Sequence, residues 1–131
     1  MWNVLVVDDD FVNRKLLVES LKELADCDTA AGGKEAIAAY ELALENGKPY
    51  DVILLDIAMP EVNGIEVLKF IRNKKTTMGV LFGHGVPVIM TTAFHEPFLE
   101  AFNKGCDDYI VKPVMPDVLI KKIQEKLYRR K

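Results

Sequence analysis

Residues 50–64 read YDVILLDIAMPEVNG. The apolar run Val52-Ile53-Leu54-Leu55 ends in Asp56, and the chain then turns at Met59-Pro60 with Gly64 beyond. An apolar run without polar alternation, bounded by turn residues, reads as a strand buried on both faces of a parallel sheet. Three further runs end in the same manner. Val4-Leu5-Val6-Val7 precedes Asp8-Asp9-Asp10, Val88-Ile89-Met90 leads to Thr92, and Tyr109-Ile110-Val111 precedes Lys112. If these are parallel strands of one sheet, acid, acid, hydroxyl and base converge at its carboxyl edge, where open α/β sheets place their ligand sites. An acidic pocket with one lysine and one hydroxyl suits a divalent cation and a phosphoryl group.

The intervening stretches read as helices. Residues 2–7 form the first strand, and Asp10 suits the N-cap of a helix running to about Leu24, with Val12, Leu16, Leu17, Leu21 and Leu24 as its apolar stripe. A short strand follows over 27–30, then a turn at Gly32-Gly33 and a helix over 34–45 that Asn46-Gly47-Lys48-Pro49 stops. After the strand at 50–55 and a loop over 60–64, Ile65, Val67, Leu68 and Ile71 set a helical period to about Lys74. Strands over 87–90 and 109–111 flank a helix from Pro97 through Asn103. A final amphipathic helix over 115–130 turns Leu119, Ile120, Ile123 and Leu127 inward and Lys121, Lys122, Glu125 and Lys126 outward. Five β-α alternations imply a parallel sheet with helices on both faces, and the 131 residues are expected to make one domain. Residues 75–86 are longer than the usual connection and carry three glycines. They read as a tolerated surface insertion, with Leu81-Phe82 the residues to present if it docks a partner.

Asp8-Asp9, Asp56 with Met59-Pro60 and Gly64, Thr92-Ala93, and Lys112-Pro113 occur in an order and at a spacing that resemble the receiver domain of two-component response regulators. The resemblance covers almost the whole chain. It implies a chemotaxis-regulator-like, flavodoxin-like fold of strand order 2-1-3-4-5, the order known from chemotaxis receivers themselves. It implies Asp56 as phosphoacceptor, with Mg²⁺ held by Asp8, Asp9, Asp56 and the backbone carbonyl of Ala58. It implies Thr92 and Lys112 as phosphoryl partners, and Thr92 with Tyr109 as a switch that alters the face made by the fourth helix, the fifth strand and the fifth helix. The donor would be the phosphohistidine of a sensor histidine kinase or phosphotransfer protein. The receiver would catalyse its own phosphotransfer and slow autodephosphorylation, with Phe94 shielding the phosphoryl group. It would act on a downstream protein or output domain, or dimerise on phosphorylation.

Charge and cysteine content narrow the classes. A net charge of −3, with 17 basic and 20 acidic residues interspersed, lacks the basic stripe of a nucleic-acid binder. No apolar run approaches the roughly 20 residues of a membrane span, and the start at Met1-Trp2-Asn3 runs into a strand without a signal-peptide pattern. Cys27 and Cys106 fit no metal or redox spacing and read as reduced thiols of a cytoplasmic protein. Nothing after the closing helix reads as an effector, so the output is expected from protein contact or from a longer chain. Two other classes compete. Asp8-x-Asp10-x-Val12 resembles a haloacid dehalogenase nucleophile motif but leaves residues 56–60 unexplained. A binding module that never carries phosphate would not need the complete set of acids, hydroxyl and lysine.

Overall fold

The computed structural model describes residues 1–73, 85–93 and 105–129. Its strands are β1 (Trp2–Val7), β2 (Ala25–Ala30), β3 (Val52–Asp56), β4 (Val88–Thr92) and β5 (Asp108–Val111). They form one sheet in the order β2-β1-β3-β4-β5, every neighbouring pair parallel. The helices among the described residues are α1 (Phe11–Leu21), α2 (Gly33–Glu45), α3 (Gly64–Asn73) and a C-terminal helix (Pro116–Arg129). This is the expected five-stranded parallel, flavodoxin-like sheet of order 2-1-3-4-5. The expected helix over 97–103 lies outside the described residues, as do Phe94 and, in the insertion, Leu81-Phe82.

The period of two along each strand divides the core into two layers. Val4, Val6, Val52, Leu54, Ile89 and Ile110 pack with Leu17 and Leu21 of α1 and Leu119 and Ile123 of the C-terminal helix. Leu5, Val7, Ile53, Leu55, Val88 and Met90 pack on the other face with Ala36 and Tyr40 of α2 and Ile65, Leu68 and Ile71 of α3. Since both faces are covered, the central strands carry apolar residues at nearly every position, the pattern visible in 52–55.

Local chemistry sets the helix ends. Asp10 caps α1, its Oδ1 accepting from the backbone N–H of Val12 at 2.8 Å and of Asn13 at 3.4 Å. Gly47 ends α2 at φ +70°, where its N–H donates to Leu44 and that of Lys48 to Ala43, the paired bonds of a Schellman stop.

Two expectations need correction. α1 ends at Leu21, where the N–H of Lys22 turns to the carbonyl of Glu19 and that of Leu24 to the carbonyl of Leu21, i→i−3 bonds that tighten the last turn, and the Leu24 carbonyl then accepts from Trp2 as β2 starts beside β1. Its stripe is narrower than expected: Leu17 and Leu21 are buried, whereas Val12 and Leu16 are each 60% exposed and join Phe11 on the outer surface. In the C-terminal helix, Lys122 and Lys126 do not simply point to solvent. Their ammonium groups sit 3.1 and 3.5 Å from the carboxylate of Asp108 on β5.

Candidate functional site

Strand register brings the acids together. Val7 pairs with Leu55, so the next residues, Asp8 and Asp56, stand side by side at the carboxyl edge. Both are buried, Asp56 to 2% exposure, while Asp9 remains exposed beside them. Carboxylate oxygens of Asp8, Asp9 and Asp56 all lie within 4.8 Å of one another. Asp8 is fixed from two sides: its Oδ1 accepts from the N–H of Asp10 at 2.9 Å, and its carbonyl accepts from Arg14 at 2.8 Å. Nothing in the sequence marks Arg14 for this role, since a lysine or arginine on a helix's outer turn carries no distinguishing sign.

Lys112 reaches in from the end of β5, with a cis peptide to Pro113. Its ammonium lies 3.1 Å from Asp56 Oδ1 and 3.4 Å from Asp8 Oδ2. Burial works against its charge, but the carboxylates of Asp56 and Asp8 outweigh that and hold its pKa above the ordinary lysine value. One ammonium thus serves two buried carboxylates, with Asp9 a third acid close by. The excess negative charge and the oxygen-only donor set fit a hard divalent cation such as Mg²⁺. Ala58, the expected main-chain ligand, sits exposed in the loop two residues beyond Asp56.

Gly64 shapes this loop. A Cβ there would overlap the carbonyl oxygen of Asp56 and lie 2.9 Å from its carbonyl carbon, so the first turn of α3 can press against the end of β3 only as glycine. Its N–H donates to the carbonyl of Ile57 at 2.8 Å.

Thr92 is fully buried at the end of β4, and its hydroxyl donates to the carbonyl of Ala93 at 2.8 Å. Register places Thr91, not Thr92, in line with Asp56. Thr92 and Tyr109 fall on the α2/α3 side of the sheet, the half-buried Tyr109 packing against that layer. The two expected switch residues are therefore on one side, whereas Asp8 and Lys112 line a cavity with Leu16 and Leu17 of α1 on the other. Asp10, which the dehalogenase-like motif would use for catalysis, is occupied as a helix cap.

The sequence profile of the response regulator receiver domain matches residues 4–124. This chain belongs to the response regulator receiver family. The receiver is 40% identical over 129 residues to the transcriptional regulatory protein SrrA of Staphylococcus aureus, covering 96% of this chain and 48% of that protein. The chain thus spans about half the length of the curated relatives it matches. Among solved structures, the chemotaxis response regulator CheY4 of Vibrio cholerae superposes with a TM-score of 0.81 at 31% identity, covering 97% of this chain and 99% of that one. The receiver domain of Francisella response regulator 1452 gives 0.80 at 32% identity, with both chains fully covered. The dehalogenase-like reading is displaced by these matches.

Away from the edge, burial pushes the Cys27 and Cys106 thiols up to about 11, helped by neighbouring aspartates. No helix among the described residues is long and apolar enough to cross a membrane.

Proposed function

We propose that this receiver is the phosphoacceptor of a two-component pair, with Asp56 as the acceptor. The observation that carries the reading is the Asp56 carboxylate, buried at the sheet edge 3.1 Å from Lys112 and grouped with Asp8 and Asp9. A carboxylate oxygen of Asp56 attacks the phosphorus of a phosphohistidine. The P–N bond breaks, the imidazole leaves with the electron pair, and Asp56 becomes an acyl phosphate. Asp8, Asp9, Asp56 and the Ala58 carbonyl would hold Mg²⁺, whose charge would offset the crowded carboxylates and the phosphoryl oxygens. Lys112 would leave Asp8 to pair with a phosphoryl oxygen, and Thr92 would exchange the Ala93 carbonyl for another. Transfer of this kind is mostly positioning and electrostatics.

Movement of Thr92 would open space for Tyr109 and so change the surface around β5 and the C-terminal helix, a two-state element biased by a local charge event. The sensor kinase or phosphotransfer protein would dock over the apolar rim of the site, where Phe11, Val12 and Leu16 of α1 and Met115 beyond Pro113 are all exposed. The likeness to a transcriptional regulatory protein supports an output passed by contact to another domain or protein, or to a second receiver, and the net charge of −3 without a basic stripe is the ground for reading no direct nucleic-acid contact by this chain. We place it in the cytoplasm, where both thiols stay reduced, and read any loss of phosphate as slow autodephosphorylation.

The test is intact mass after incubation with Mg²⁺ and acetyl phosphate. A single phosphoryl adduct is expected in the native chain and none in Asp56→Asn. An adduct that persists in Asp56→Asn and disappears in Asp8→Asn would move the nucleophile and refute the assignment. No adduct in a folded, Mg²⁺-binding native chain would favour a binding module that never carries phosphate.

A further inference from the structure

Beside the acid cluster, and on the same face of the sheet, lies a cavity of about 90 Å³. Leu16 and Leu17 of α1, Val114, Asp8, Lys112 and Thr91 are among its walls. Thr91 supplies its unusual group. The residue is 1% exposed, and its hydroxyl oxygen has no hydrogen-bond partner among the described residues. Asp56 and Thr91 are register partners on adjacent strands, so their backbones stand one strand spacing apart, about 4.8 Å. A second buried oxygen, Oδ2 of Asp8, also accepts no hydrogen bond among the described residues; Lys112 at 3.4 Å is its ion-pair partner.

A buried hydroxyl that bonds to nothing bears its full desolvation penalty, which a valine of the same shape would avoid. A threonine here therefore implies something for it to bond. The cavity has the room and the chemistry: a water needs roughly 10–15 Å³ of such space and two to four polar partners. We propose that Thr91 is a positioning residue for Lys112. It anchors one end of a short chain of waters in this cavity, the other end of which hydrogen-bonds Asp8 Oδ2 two strands away and takes over that oxygen when the lysine leaves for the phosphoryl group on Asp56. The inference rests on the phosphoacceptor reading. Without the hydroxyl, the water on the cavity side of Asp8 Oδ2 would be less well held when Lys112 leaves, with Mg²⁺ supplying the rest of the charge balance, so the lysine would be held back and the phosphoryl-bearing state disfavoured.

The experiment uses the full chain and beryllofluoride, a phosphoryl mimic that binds at equilibrium without turnover. Calorimetry gives its affinity in saturating Mg²⁺ for the native chain, Thr91→Val, Thr91→Ser and Asp56→Asn, with Mg²⁺ affinity and thermal midpoint measured alongside. Thr91→Val is expected to weaken beryllofluoride roughly 3–10-fold, the net worth of one hydrogen bond. Mg²⁺ affinity should be unchanged and the midpoint equal or higher, and Thr91→Ser should retain native affinity. A merely structural threonine would lower the midpoint and Mg²⁺ affinity together. That result, or native affinity in Thr91→Val, would overturn the proposal. A native chain that binds no beryllofluoride, or an Asp56→Asn chain that binds it equally well, would overturn the phosphoacceptor reading and this inference with it.

Discussion

The two ends of the sheet treat their polar groups in opposite ways. At the amino-terminal end of β4 and β5, Arg72 of α3 is engaged through all three guanidinium nitrogens: it donates to the carbonyls of Gly105 and Val86, each at 2.8 Å, and to Asp107 at 2.9 Å. Asp107 in turn accepts from the N–H of Val88 at 2.8 Å. At the carboxyl end, one lysine is divided between two buried carboxylates, and the Thr91 hydroxyl and Asp8 Oδ2 find no hydrogen-bond partner among the described residues. Groups that find all their partners within the protein hold its parts together. Groups left short of partners remain available to a cation and a phosphoryl group. The end proposed to bind is therefore the one whose electrostatics the protein does not complete by itself.

The strongest way to break the contrast is at Gly64, where the acid edge depends on backbone contact instead of side-chain pairing. Gly64→Ala sets a methyl against the carbonyl of Asp56, and the three atoms nearest the added carbon are main chain, so no flexible side-chain end is there to yield. A loss of about 3 kcal/mol in urea unfolding is expected, the upper end of overpacking costs, together with weaker Mg²⁺ binding. Native stability in this variant would show that the 57–63 loop is free to shift.

Next in size is Arg72→Met, which keeps the apolar stem and removes the donors. The Arg72 and Asp107 side chains are 21% and 41% exposed, so the ion pair itself adds little. The bonds to the Val86 and Gly105 carbonyls matter more, and a loss of about 2 kcal/mol is expected. The phosphoryl adduct on Asp56 should still form to full stoichiometry. Impaired phosphorylation at unchanged stability would mean the two ends are coupled and the contrast is false.

How much of this is legible in the sequence follows the same division. The ends of β1, β3, β4 and β5 are visible, because buried strands in a parallel sheet must be apolar throughout and the polar residue that ends each one stands out, whereas the strand order comes only from the family resemblance. Asp8, Asp56 and Lys112 emerge in that way. What escapes requires register or distance. Period-two alternation separates Thr91 from Thr92 but does not say which lines up with Asp56; only the pairing of β3 with β4 does. The partners of Arg72 lie 14 to 35 residues away, beyond any local pattern. Val12 and Leu16 fit a helical stripe yet face outward, because periodicity marks apolar positions and not the surface that covers them. The helical wheel alone assigns Lys122 and Lys126 to solvent, whereas a neighbouring strand supplies Asp108 as their partner.

That ion cluster gives the smallest effect and the finest test of the contrast. Asp108 adjoins Asp107 at the satisfied end. Burial works against its charge, but the N–H of Tyr109 and the ammoniums of Lys122 and Lys126 outweigh it and hold its carboxyl below the ordinary range. A carboxylate depressed on folding contributes stability that is present above its unfolded pKa, about 3.9, and is lost as pH falls through the folded value. Asp108→Asn should therefore be less stable than the native chain at pH 7, by under about 1 kcal/mol because the cluster is partly exposed. The gap should close as acid protonates Asp108. Urea midpoints at pH 7 and at pH 3 would measure it, and a gap that stays constant would show that the side chain acts through packing and not through charge. Added Mg²⁺ should leave this gap untouched at either pH, since the negative charge of Asp108 is already matched by two lysines, whereas the acids at the other end have one lysine among them.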